Sequence, residues 1–140
     1  MRRYIVATHA RLSEGILSAL DMIVGRQKPI SAYCAYVEDH VFFKDELEKE
    51  IAGYPLTDEI LIFTDLYGGS VNNELLPFIN LPNVYLISGV NLILIISMLI
   101  ASEEEPIEEM IERTIREAQS GMIYCRKEGQ EETHATLDEF

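Results

Sequence analysis

Apolar residues along this chain come in two textures, short unbroken runs and longer stretches with a helical period. The first run, YIVAT over residues 4–8, reads as a strand. From Glu14 onward Ile16, Leu17, Leu20, Ile23 and Val24 recur at the spacing of one helix face, until Gly25 breaks the pattern. Further runs over residues 30–37, 59–64 and 84–88 predict strands, while 41–51, 71–79, 91–102 and 106–119 predict helices. A closing run, MIYCR at 122–126, predicts one more short strand, and the order becomes β-α-β-α-β-α-β-α-α-β. The run EILIFT is apolar throughout, which suits a strand covered on both faces. Such an order predicts an α/β layered domain with a mainly parallel sheet, because parallel neighbours need helical crossovers. One domain is expected over residues 1–127, followed by a polar, acidic tail over 128–140.

The stretch VYLISGVNLILIISMLIA, residues 84–101, is almost long enough for a membrane span. Ser88, Gly89 and Asn91 interrupt it and no flanking cations favour insertion, so a buried strand, turn and helix are expected instead. Charge narrows the partners. With 140 residues, 48% apolar content and a formal net charge of −13, the chain is foldable and acidic. Nucleic acid is disfavoured, since phosphate backbones are bound by clustered Lys and Arg. A partner with a basic docking face fits better. The N-terminus lacks an apolar signal core, so a cytoplasmic location is expected. Cys34 and Cys125 stand alone in apolar runs and are expected to be buried thiols.

In parallel sheets of this kind ligands collect beyond the carboxyl ends of the strands. Those ends carry Thr8-His9, then Thr64-Asp65 with Tyr67-Gly68-Gly69-Ser70, and then Ser88-Gly89-Val90-Asn91. An imidazole, a carboxylate, a glycine pair leading into a helix and an amide therefore share one edge of the domain. A neutral imidazole nitrogen can attack a phosphoryl group if its other nitrogen holds the proton, and Asp65 is the candidate that fixes this tautomer. Gly68 and Gly69 would let backbone N–H groups approach phosphoryl oxygens, with Ser70 adding a hydroxyl as the expected helix cap. The same residues also have plainer uses. Gly68-Gly69 can be a turn requirement, Asp65 a turn cap, Asn91 a helix N-cap and Tyr67 a rim aromatic. His40 and His134 are read as surface residues. His9 and Asp65 supply only two convincing metal ligands, so no metal site and no cofactor are expected.

These same residues carry a resemblance. The segments IVATHARLSEGILSALDMIVG, LIFTDLYGGSVNNEL, LISGVNLILI and ASEEEP resemble the mannose-family (mannose, fructose, sorbose) enzyme IIA components of the phosphoenolpyruvate-dependent sugar phosphotransferase system, over about residues 4–127. The resemblance implies a doubly wound sheet with helices on both faces and a homodimer in which the final strand pairs antiparallel with the partner's sheet. It also implies a phosphotransferase that accepts a phosphoryl group from HPr on His9 and passes it to an enzyme IIB component. Asp65 matches the aspartate that bonds the active histidine, Ser70 the serine after the glycine pair, and Thr8 a small or hydroxyl position beside the histidine, placed with Gly68, Gly69 and Ser70 around the phosphate. Membrane association would come only through IIC and IID components. Two positions depart from the family pattern. Ala10 stands where glycine is common, and Ile93 where a proline is usual. Two alternatives to a carrier are a flavodoxin-like module that binds a small molecule and a regulatory dimer.

Overall fold

The computed structural model describes residues 1–25 and 28–128. Four strands, β1 (Arg2–His9), β2 (Ile30–Ala35), β3 (Glu59–Thr64) and β4 (Val84–Ile87), form one sheet in the order β2-β1-β3-β4. All three pairings are parallel, with Val6 opposite Ala32 on one side and Phe63 on the other. Each crossover is helical: α1 (Leu12–Ile23), α2 (Phe43–Ala52) and α3 (Ser70–Leu75), the last running into a 3-10 turn at Leu76–Asn80. Two further helices, α4 (Leu92–Ile100) and α5 (Ile107–Gln119), follow β4. The predicted α/β architecture with helices on both faces is what forms.

Alternation along the strands builds both faces. Tyr4, Val6, Leu61 and Phe63 point into a core covered by α1, α4 and α5, whereas Ile5, Ala7, Ile60 and Ile62 point into one covered by α2, α3 and the 3-10 turn. Because β1 and β3 are buried on both sides, their sequences run apolar without a break. The buried guanidinium of Arg2 ties the opposite end of the sheet together, with Nε on Glu59 at 3.1 Å, Nη1 on the Ser102 carbonyl at 2.9 Å and Nη2 on the Glu105 carbonyl. The run 84–101 divides as expected into β4, a turn and α4, and no helix among the described residues is long and apolar enough to cross a membrane. Asn91 caps α4 by accepting the Leu94 N–H at 2.9 Å, so that helix starts cleanly with Ile93 in place of a proline. Ile93 instead packs over residue 121, where an added Cβ would fall 2.2 Å from its Cδ1.

The C-terminal strand is a correction. Within the single chain residues 122–124 make no ladder, and Cys125–Glu128 form a helical turn. A strand needs a neighbour for its backbone groups, and among the described residues nothing pairs with this segment. Cys125 is accordingly exposed, contrary to its reading as buried, while Cys34 is half-buried with its Sγ 3.2 Å from the Ser13 hydroxyl. His134 and the acidic tail from residue 129 onward lie outside the described residues.

Candidate functional site

The strand order reverses direction at β1: β2 lies on one side of it, β3 and then β4 on the other. Loops leaving β1 and β3 at their carboxyl ends part to opposite faces there, opening the crevice in which ligands bind to open α/β sheets. His9 ends β1 and Asp65 directly follows β3, so the topology alone brings together two residues far apart in sequence.

Asp65 grips His9 twice. Its Oδ2 accepts from the His9 backbone N–H at 2.9 Å and lies 2.9 Å from the ring Nδ1, while Oδ1 accepts from the Leu66 N–H at 3.1 Å. Burial on its own would push the Asp65 carboxyl up, but the hydrogen bonds from His9's backbone and ring outweigh it and hold the group below the ordinary carboxylate range. Asp65 is therefore ionised near neutrality and can only accept. That decides the tautomer of a neutral His9: Nδ1 carries the proton and Nε2 the lone pair. Nε2 lies 3.0 Å from Ser70 Oγ, so the hydroxyl donates to it. With the imidazole 38% exposed, this nitrogen is the one presented at the rim.

The loop after β3 is shaped by its glycines. Gly68 adopts φ 76°, a left-handed conformation that costs glycine least. At Gly69 a Cβ would meet Leu66 Cβ at 3.1 Å and His9 Cε1 at 3.5 Å, so any side chain there would be wedged between loop and imidazole. The Gly69 N–H donates within the turn to the Leu66 carbonyl, and the Asn73 side-chain amide donates to the Gly68 carbonyl. Thr64 Oγ1 donates to Asn72 Oδ1 at 2.7 Å, a buried bond that locks α3 onto β3. Ser70 opens α3 as its first residue and does not cap it; its hydroxyl is turned to the histidine.

Two more expectations change here. Thr8, expected beside the phosphate, does not face the open side of the imidazole. Its side chain is fully buried, and its hydroxyl accepts the Ser13 N–H at 2.8 Å, a bond that anchors the first turn of α1. Asn91 is committed to its cap, as described above, and is not a free rim amide. Tyr67 does stand at the rim, 88% exposed. The backbone at Ala10 shows why glycine suits this position: φ is 49°, and the residue's N–H donates to the Ala35 carbonyl at 3.0 Å. The chain must enter the left-handed region directly after the histidine, where a non-glycine residue costs about 1 kcal/mol. Ala10→Gly is thus expected to raise stability by about 0.5–1 kcal/mol on denaturant unfolding; an unchanged or lower midpoint would show that the position is not strained.

His9 has one neighbour that the sequence pattern does not reveal. Tyr36, the residue after β2, places its ring centroid 5.7 Å from the imidazole at 57°. His40 is exposed in the loop before α2, as expected. Among the described residues no group of three or more His, Cys, Asp or Glu side chains is arranged to hold a metal ion.

Comparison with known proteins bears on this geometry. Residues 3–115 match the family described as the fructose IIA component of the phosphotransferase system. A protein from Klebsiella pneumoniae described as a phosphoenolpyruvate-dependent sugar phosphotransferase system permease is 38% identical, with a TM-score of 0.83 and coverage of 89% of this chain and 91% of that one. The IIA protein associated with the fucose utilization operon of Streptococcus pneumoniae is 25% identical over 91% of this chain and 95% of its own, with a TM-score of 0.75. The mannose/sorbose-specific IIA subunit from Enterococcus faecalis shares the fold, with a TM-score of 0.71 at 23% identity over 88% of this chain and 94% of that one. None of the curated proteins matches.

Proposed function

Given that the chain belongs to the family of phosphotransferase-system fructose IIA components, whose role is phosphoryl carriage in sugar uptake, we propose that His9 is its phosphoryl acceptor, loaded by phospho-HPr and discharged by an enzyme IIB component. The observation that carries this reading is the pair of bonds on the imidazole: an ionised carboxylate at Nδ1, a hydroxyl at Nε2. Nε2 holds the free electron pair and attacks phosphorus as the donor's nitrogen–phosphorus bond breaks. The Nδ1 proton stays between His9 and Asp65, which stabilises the positive charge developing on the ring. Ser70 releases Nε2 and turns its hydroxyl to a phosphoryl oxygen. Gly68 and Gly69 keep side chains out of the space that the transferred group needs. Positioning and charge stabilisation suffice for such a transfer.

The acidic surface suits partners with basic docking faces. Residues 122–124, with Met122 and Tyr124 exposed, and the unpaired edge of β4 support a homodimer that exchanges this segment as an antiparallel strand. A domain over residues 1–127 working in the cytoplasm fits the same reading. The test is reconstitution. With phosphoenolpyruvate, enzyme I and HPr the chain is expected to take up one acid-labile phosphoryl group and lose it to IIB. A label that forms without HPr, or that no IIB discharges, would refute the carrier reading.

A further inference from the structure

Tyr36 is held beside His9 more firmly than an exposed aromatic needs to be. It follows Ala35, the residue paired with His9 across the sheet. Its φ is 67°, a left-handed backbone that bulky residues rarely adopt and that persists where the surroundings over-determine it. This turn lays the ring between two others, the imidazole of His9 and the buried ring of Phe43 at the start of α2, the latter edge-on at 5.9 Å and 88°. The hydroxyl donates to Glu74 Oε1 at 3.0 Å. Burial first, then that bond, keep the phenol protonated above its ordinary value, against the opposing pull of the Ser70 hydroxyl. Backbone, ring and hydroxyl are all fixed, although the residue is 55% exposed.

Two demands of the reaction meet at this residue, and both rest on the reading of His9 as acceptor. In the resting site the imidazole is held at both nitrogens. Attack needs the Nε2 pair, so Ser70 must release it, and until the new bond has formed Asp65 alone holds the ring by hydrogen bonding. The ring can then turn about that single anchor. The second demand is electrostatic. The incoming phosphoryl group is anionic, and Glu74 places a carboxylate on the Tyr36 side of the imidazole.

We propose that Tyr36 is a positioning residue for phosphoryl transfer, its ring bracing the imidazole plane after Ser70 lets go and its hydroxyl holding the Glu74 carboxylate aside from the entering phosphoryl group. The balance of the step is unchanged. The Nε2 pair forms the new nitrogen–phosphorus bond, the donor ring recovers the pair of the bond that breaks, and Tyr36 exchanges no proton.

Transfer kinetics from phospho-HPr to the full-length chain test this. Tyr36→Leu is expected to lower kcat by about ten- to a hundredfold while KM changes less than about threefold, as misplacement of a reacting group does. Tyr36→Phe keeps the ring and should restore most of kcat, leaving a deficit of about fivefold that Glu74→Gln removes in the double variant. A Tyr36→Leu chain with wild-type kcat, or one impaired in KM alone, would overturn the bracing role. A Tyr36→Phe deficit that Glu74→Gln leaves untouched would overturn the role of the hydroxyl, and this arm holds even if Tyr36→Leu folds poorly. A wild-type chain that takes no phosphoryl group from phospho-HPr would instead refute the reading of His9, which separates the two failures.

Discussion

His9→Ala is expected to abolish acid-labile phosphorylation of this chain by phosphoenolpyruvate, enzyme I and HPr, with the fold intact. The side chain is 38% exposed and contributes no core packing, while the residue 9 backbone N–H would still donate to Asp65. Unfolding should therefore shift by no more than about 1 kcal/mol, as at other surface positions. Loss of label with an unchanged unfolding midpoint would separate a missing acceptor from a damaged protein. His40 is a built-in control: it is exposed but lacks a carboxylate partner at Nδ1 among the described bonds, so His40→Ala should label like wild type. Persistent label in His9→Ala would move the acceptor elsewhere.

Asp65→Asn is expected to slow transfer by about two to four orders of magnitude while His9 remains able to accept, because the wrong tautomer removes the attacking electron pair. A carboxylate can only accept, which forces the proton onto Nδ1. An amide can also donate to Nδ1, and then Nε2 carries the proton and has no pair with which to attack. Single-turnover rates against phospho-HPr measure the effect, and a rate equal to wild type would deny Asp65 its role. The same substitution should alter acid stability. The native Asp65 carboxyl lies below its ordinary value of about 3.9 because His9's bonds overcome the effect of burial. Its contribution to stability is then complete above the ordinary value and disappears as pH falls through the lowered native one. Asp65→Asn should flatten that acid limb of the stability curve.

Most of this site could be read from the chain because its residues stand where strands stop. His9 and Asp65 each close an apolar run, Ser70 follows the glycine pair that leads on from the second, and a parallel sheet collects such ends on one edge. What escaped was set by backbone conformation and by direction. Tyr36 sits at the end of the pattern that predicts a strand over 30–37, and nothing in that pattern reveals the left-handed turn that swings its ring to His9. Thr8 shows the reverse failing. The resemblance implies a phosphate role for the hydroxyl next to the histidine, yet neighbouring side chains on a strand point to opposite faces, and that of Thr8 points inward to α1. The last strand failed for want of a partner: MIYCR has a strand's composition, but a strand exists only against a neighbour, and composition does not say whether that neighbour is in the same chain.

In the proposed transfer Asp65 dictates which nitrogen of His9 takes the phosphoryl group. Nuclear magnetic resonance of the phosphorylated, 15N-labelled chain tests it directly through the couplings of the imidazole nitrogens to phosphorus and to protons. The expected result is phosphorus coupled to Nε2 of His9 with a proton retained on Nδ1. Phosphorus on Nδ1, or on His40, would contradict it.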